Sequence, residues 1–497
     1  MLGNAWLAAA LICVTSAAAP AQGVRQSLGD VSFANSGAPQ AQSAFLRGLG
    51  LLHNFEYSRA IVAFQDAQKA DPGFAMAYWG EAMAYNHAVW MEQDADKARA
   101  ALGRLGPDPA ARLAKAPTTR ERGFLEAVEA LYGGGSKEDR DRAYSARMET
   151  LFSAFPQDVD VAAFYALSLL GLAHDGRDYG LYMRAAGILE QFYPQHSRHP
   201  GVLHYLIHSY DDPIHAPLGL RAARLYGAVA PDAAHALHMT SHIFVALGDW
   251  KQTIASNVTA IAAVNSQRAT AGRPAAMCGH VLEWLNYAYY QVGEPARSEP
   301  ILQGCRGAAD GEIAEARKTN MRPATRSYAD MWVRSVIEQG KRPPDPALNL
   351  DPNRYPDESF TLAYGALLAG RGNAADVAVA YGALKRAAAA GTGNPQAPMA
   401  TRRKIVLLQA AALADFASGR ETEGLKSLNE AAETERAMAP DYGPPLVEKP
   451  SFELLGEEYL RLRRHREAAD AFRAALKLAP GRRLSLAGLA NAERATN

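Results

Sequence analysis

Two short stretches, HPGVLHYLIHSYDDPIHAP (199–217) and HALHMTSHIFVALGDW (235–250), hold seven of the 13 histidines in the chain. From His174 to His242 there are nine within 69 residues, where even spacing gives about two. His204 and His208 are four apart, as are His238 and His242. On a helix, each pair therefore presents two imidazoles on one face, one turn apart. Neutral imidazole is a ligand for first-row transition metals, and a nearby Asp or Glu completes or orients the shell. Asp211 and Asp212 follow His208 closely, and His235 stands three residues before His238. Two such pairs on helices roughly 8–10 Å apart can close a tetrahedral or octahedral site.

The chemistry needs helices to hold it, and the rest of the sequence supplies them. Alanine is abundant and β-branched runs are scarce, which favours helix. No glycine-rich phosphate loop, Ser-His-Asp pattern or strand alternation is present. From Ala41 to Pro72 a helix with Gly48 at its middle is followed by the turn NFEYSRAI and a second helix carrying Ala60, Phe64 and Ala67. ELLGEEYLRLRRHREAADAFRAALKLAP repeats the series at the same intervals, with Gly456, Ala468, Phe472, Ala475 and Pro480. A small residue at mid-helix admits a partner helix, the aromatic fills the space between them, and proline ends the pair. Looser versions occur at 245–257, 290–302 and 416–428.

This pattern resembles the tetratricopeptide repeat family, and HYLIHSYDDPIHAP, HALHMTSHIFVALGDW and FAMAYWGEAMAYNH further resemble its exported bacterial members. The fold expected is all-α: a tetratricopeptide-type α-solenoid of about seven to nine antiparallel helical hairpins forming a right-handed superhelix. The two histidine pairs are separated by 34 residues, position for position, which is the repeat length. They thus occupy equivalent places on the first helices of adjacent hairpins. With the register set by Gly248-Asp249-Trp250, the resemblance places both pairs on the concave, groove-facing wall. Glu283 and Tyr287 take the same places one repeat later, with His280 one turn before Glu283. By the same resemblance Asn86 and His87, on the first helix in AYWGEAMAYNHAVW (77–90), and Glu453 and Glu457 face the groove. His53, His196, His199, His215 and His465 fall at helix ends or turns and are not read as ligands.

The chain's 497 residues are 48% hydrophobic and 21% charged, with 52 basic and 52 acidic residues. That balance gives no basis for nucleic acid or an anionic membrane as a partner. The first 21 residues read as a secretory signal, with an apolar stretch from Leu7 to Val14 and small residues at Ala19-Pro20-Ala21. No later segment approaches the roughly 20 apolar residues of a membrane span. Export to the periplasm or medium is therefore expected. The division expected is a signal at 1–21, a flexible N-terminus at 22–37 and repeats carrying the histidines at 38–340. A Pro-rich linker or crossing at 341–359 then leads to C-terminal repeats and a capping helix at 360–497. Cys13 leaves with the signal. Cys278 and Cys305 then lie at the same end of two antiparallel helices, within disulfide reach.

These residues define an expectation and its rivals. The chain is expected to be an exported solenoid that binds a protein, peptide or small ligand in its concave groove. It is also expected to carry a divalent transition metal (Zn, Cu, Fe or Mn), and no organic cofactor. The ligand set is drawn from His204, His208, His238, His242, Asp211, Asp212, His235 and Glu283. A polar groove without metal and a purely structural use of the histidines are the bland readings. The alternative function is a metal-dependent enzyme, hydrolase or oxidase, with the ion as Lewis acid or water activator.

Overall fold

Phe64 shows why the helices pair as they do. Its ring lies between Gly48 and Gly80, where an added Cβ would come within 2.8 Å and 2.4 Å of it. Phe472 is held in the same way by Gly456 and Gly488, at 2.9 Å and 2.3 Å. Only glycine lets the first helix of a hairpin, its returning partner and the next first helix meet around one aromatic ring.

The computed structural model describes residues 27–315, 323–341, 347–391 and 397–495. Among them are 23 α-helices and one hairpin of two-residue strands. Ten successive helix pairs pack against each other in chain order, from Pro39–His53 with Tyr57–Ala70 to Ser451–Arg461 with His465–Leu478. That is one more pair than the upper end of the seven to nine expected. At several turns a glycine takes the left-handed conformation, as at Gly248 (φ 70°) and Gly293 (φ 76°). Phe55 adopts it at φ 55° in the first hairpin, where a side chain makes it costly.

The apolar core has two main parts, one running from Leu28 to Phe244 and one from Leu302 to Ala475. The array also closes on itself: Trp250 Nε1 donates to the carbonyl of Gly481 at 2.8 Å. A Cβ on Gly248 would stand 2.4 Å from the Pro480 carbonyl oxygen, so the two turns touch backbone to backbone.

Three expectations change here. Residues 27–37 are not a loose N-terminus: the buried Phe33 ring packs against Phe45 and Phe124, both at 5.4 Å, so the arm takes part in the aromatic core. The crossing after 341 ends at Tyr355, since Pro356 sits in the first turn of the helix Pro356–Ala369 with Asp357 and Glu358 at its positive end. Asn86 and His87 are not helical. The helix stops at Met83, and Asn86–His87 pairs with Glu92–Gln93 around the turn Ala88–Trp90. Stacking of Tyr57 on His87 at 4.1 Å holds this tighter path. Cys278 and Cys305 stand at disulfide distance, with Cα atoms 4.5 Å apart. No described helix is long and apolar enough to cross a membrane. The expected signal at 1–21 lies outside the described residues.

Candidate metal centre

The helix Pro200–Tyr210 begins with Pro200 in its first turn, and the His199 side chain accepts from the Val202 amide at its N-cap. All of its residues are buried, as are nearly all of Ala234–Ala246 beside it. A helix buried on every face has no solvated side for polar groups, so each histidine here must find a partner within the protein or bind something.

The histidines gather in two triads. His204, His208 and His235 each offer a ligand atom within 4.8 Å of the others, and so do His238, His242 and His280. In the first triad, His204 Nδ1 lies 2.7 Å from the His53 carbonyl oxygen. A carbonyl only accepts, so that nitrogen carries the hydrogen and Nε2 carries the lone pair. The Nε2 atoms of His204, His208 and His235 are all buried and have no hydrogen-bond partner among the described residues. Each such atom costs about 1–3 kcal/mol if nothing satisfies it.

In the second triad, His242 Nδ1 donates to Asp211 at 2.5 Å and His238 Nδ1 to Asn257 Oδ1 at 2.7 Å. The Asn257 amide is oriented by donation to the Thr253 carbonyl at 2.9 Å. Both Nε2 atoms are thereby left as acceptors, 3.3 Å apart.

Burial, reinforced by neighbouring imidazoles, holds His204, His208 and His235 well below the ordinary histidine range. Burial likewise lowers His238 to about 3. These rings are neutral at pH 7, the form that binds metal without first losing a proton.

Aromatic rings wall the centre. Phe55 meets His204, His208 and His235 at 4.2, 5.7 and 5.6 Å between ring centroids. Trp284 meets His238, His242 and His280 at 4.8, 4.4 and 5.1 Å. The groove wall expected to be open is thus filled by the chain itself. Asp211 and Tyr442, both close to His242, also line a cavity of about 560 Å³ together with Trp250, Tyr287 and Glu435. Burial raises the Glu435 carboxyl to about 7, partly offset by Ser451.

The expected ligands therefore part company. His204 and His208 are completed by His235, and His238 and His242 by His280, which the sequence places one turn before Glu283 and which was left out of the expected set. Asp211 orients His242 through one oxygen, while its other oxygen is buried without a hydrogen-bond partner among the described residues. Asp212 is taken up by Arg177 at 3.1 Å and His215 at 2.9 Å, so it anchors the loop after the helix. Glu283 is buried and accepts from Ser327, outside both triads. Asn86 bonds Gln93 at 3.1 Å.

Glu453 and Glu457 are held in a knot of ion pairs, which Tyr287 joins from the cavity wall. Arg482 donates to Tyr287 at 2.8 Å and to both oxygens of Glu453, which also bind Lys449 and Ser485. Glu457 pairs with Arg371 and Lys449. A third buried group, missed in the sequence, joins His53 and His199 to Asp160 at 3.1 and 3.3 Å. With Tyr205 3.0 Å from the other nitrogen of His53, it is a satisfied network. Burial pushes the Asp160 carboxyl up, but hydrogen bonds from His199 and His53 outweigh that and hold it low.

No family model matches the sequence, and no curated protein matches it. Among solved structures it is similar to the human IFIT1 dimer with m7Gppp-AAAA, at 12% identity over 94% of this chain and 92% of that one, TM-score 0.40. The Cut9-Hcn1 hetero-tetramer of the APC/C is similar at 14% identity over 93% and 78%, TM-score 0.35. Yeast Tom70 is similar at 11% identity over 92% and 89%, TM-score 0.30. The chain's own helix pairs define the class: an all-α array of stacked antiparallel helical hairpins.

Proposed function

We propose that this solenoid is a transition-metal protein and that His204, His208 and His235 hold the ion. One observation carries the reading: three histidines that each bring a ring nitrogen within 4.8 Å of the others, each with a buried Nε2 that has no partner among the described residues. A donor set of neutral imidazoles favours copper or zinc over manganese or magnesium. Three imidazoles fill three positions of a tetrahedral ion and leave the fourth for water or substrate. The enzyme reading is favoured by the cavity at Asp211, which gives a small molecule a place to lie next to the centre. Binding of a protein or peptide partner then falls to the outer surfaces of the solenoid, because its histidine-bearing wall is covered. Export fits the Cys278–Cys305 pair, since disulfides persist in oxidising compartments.

The test is metal content by plasma mass spectrometry on untagged protein loaded with copper or zinc, beside His204→Ala/His235→Ala. An ion held by the wild type and absent from the first triad of the variant supports the reading. A wild type that takes up neither metal ends it.

A further inference from the structure

We propose that His238, His242 and His280 hold a second transition-metal ion beside the first, so that six imidazoles form one two-metal centre. This rests on the metal reading above but on different atoms. Asp211 and Asn257 each accept from an Nδ1–H, which fixes the tautomer of His242 and His238. Their Nε2 lone pairs then face each other at 3.3 Å. Two lone pairs at that distance repel unless a proton or a metal ion lies between them. Two nitrogens on one tetrahedral ion, with metal–nitrogen distances of about 2.0–2.1 Å, stand about 3.3 Å apart. The observed spacing fits a shared ion. His280, on the helix His280–Gln291, approaches from the third side, its ring 4.7 Å from His238.

The two triads are neighbours. His235 and His238 are one turn apart on the same helix, with ring centroids 6.4 Å apart, and His208 lies 6.0 Å from His242. Both sets consist of nitrogen alone, so the same class of ion, copper or zinc, suits both. Paired ions are the arrangement that grips two oxygens of one substrate or one small bridging molecule. The ligand class that follows is a small oxygen donor reaching the centre from the cavity at Asp211.

The experiment is copper titration of the full chain, read as ions per chain and by electron paramagnetic resonance. The wild type is compared with His204→Ala/His208→Ala, His238→Ala/His242→Ala and Asp211→Asn. Two ions per chain are expected in the wild type, with a Cu(II) signal weakened by coupling. Each double variant should keep one ion and show the signal of an isolated Cu(II). Asp211→Asn alters no ligand; it should weaken only the second ion, by roughly 10–100-fold, which guards against loss through misfolding. One ion per chain lost equally in both double variants would mean a single shared site and would overturn the proposal. So would one ion untouched by Asp211→Asn, which would leave a proton bridging His238 and His242. A wild type with one ion, kept by His204→Ala/His208→Ala and lost from His238→Ala/His242→Ala, would sink the earlier reading and the paired centre together, leaving a single site at His238, His242 and His280.

Discussion

Asn257 offers a sharp test of the centre because it touches no metal. It is fully buried, and its carbonyl oxygen receives His238 Nδ1–H at 2.7 Å. Its amide is committed to the Thr253 carbonyl, so the acceptor cannot turn away. Asn257→Ala removes that acceptor. A buried N–H is left unpaired, at a cost of about 1–3 kcal/mol, and His238 is free to carry its proton on Nε2, where it blocks metal. Loss of an orienting partner of this kind typically weakens metal binding by about 10–100-fold. At about 1.4 kcal/mol per factor of ten, that matches the range for one lost hydrogen bond. Asn257→Asp separates positioning from packing. A carboxylate keeps the acceptor for His238 and strengthens it, but sets its second oxygen against the Thr253 carbonyl. Apo stability should therefore fall while metal affinity is kept or raised. The assay is competition with a chromophoric chelator at pH 7.5, beside thermal melts in EDTA. If both variants lose affinity in step with apo stability, Asn257 is only packing and the tautomer argument fails.

Other outcomes follow from the same structure. Gly248→Val should lower the melting temperature more than Gly293→Val: both pay roughly 1–2 kcal/mol for a side chain at positive φ, but only Gly248 abuts the Pro480 backbone. Equal drops would mean that the seam between residues 248–250 and 480–481 does not form. Cys278→Ser/Cys305→Ser opens a loop of 27 residues and should cost about 3 kcal/mol, an effect that reductant should reproduce in the parent chain. Burial pushes the Glu453 carboxyl up, but Arg482 and Lys449 outweigh it and hold the group below its ordinary range. Its contribution is thus fully present above the unfolded value of about 4.3 and is lost as pH falls through and below it. Arg482→Met should cost about 3–5 kcal/mol at pH 7, with a smaller gap to wild type at pH 4 in urea unfolding. An undiminished gap at pH 4 would show that the ion pair is not its source.

Local spacing was enough for much of this protein. A helix repeats every few residues, so His204 with His208 and His238 with His242 were bound to share faces whatever the fold around them. The Gly48–Phe64 and Gly456–Phe472 intervals announced paired helices, because close approach requires glycine where the aromatic ring lies. The separation of 34 residues then put the two histidine pairs on neighbouring first helices.

What the spacing could not hold was direction. Which ring nitrogens converge depends on how far each helix is rotated about its axis, and on acceptors far away in the chain. His204 is set by the backbone of His53, 151 residues earlier, and His242 by Asp211, 31 residues earlier. That is why one expected ligand set became two triads, the first with His235, which was in that set, and the second with His280, which was not. It is also why Glu453 and Tyr287, drawn as groove residues, proved to be held by Arg482. The approach of Phe55 to His204 and of Tyr442 to His242 came only from the chain folding back on itself. A repeat pattern carries the period of the helices and their order. The burial that makes a histidine neutral, and the partner that fixes its proton, exist only when distant segments meet.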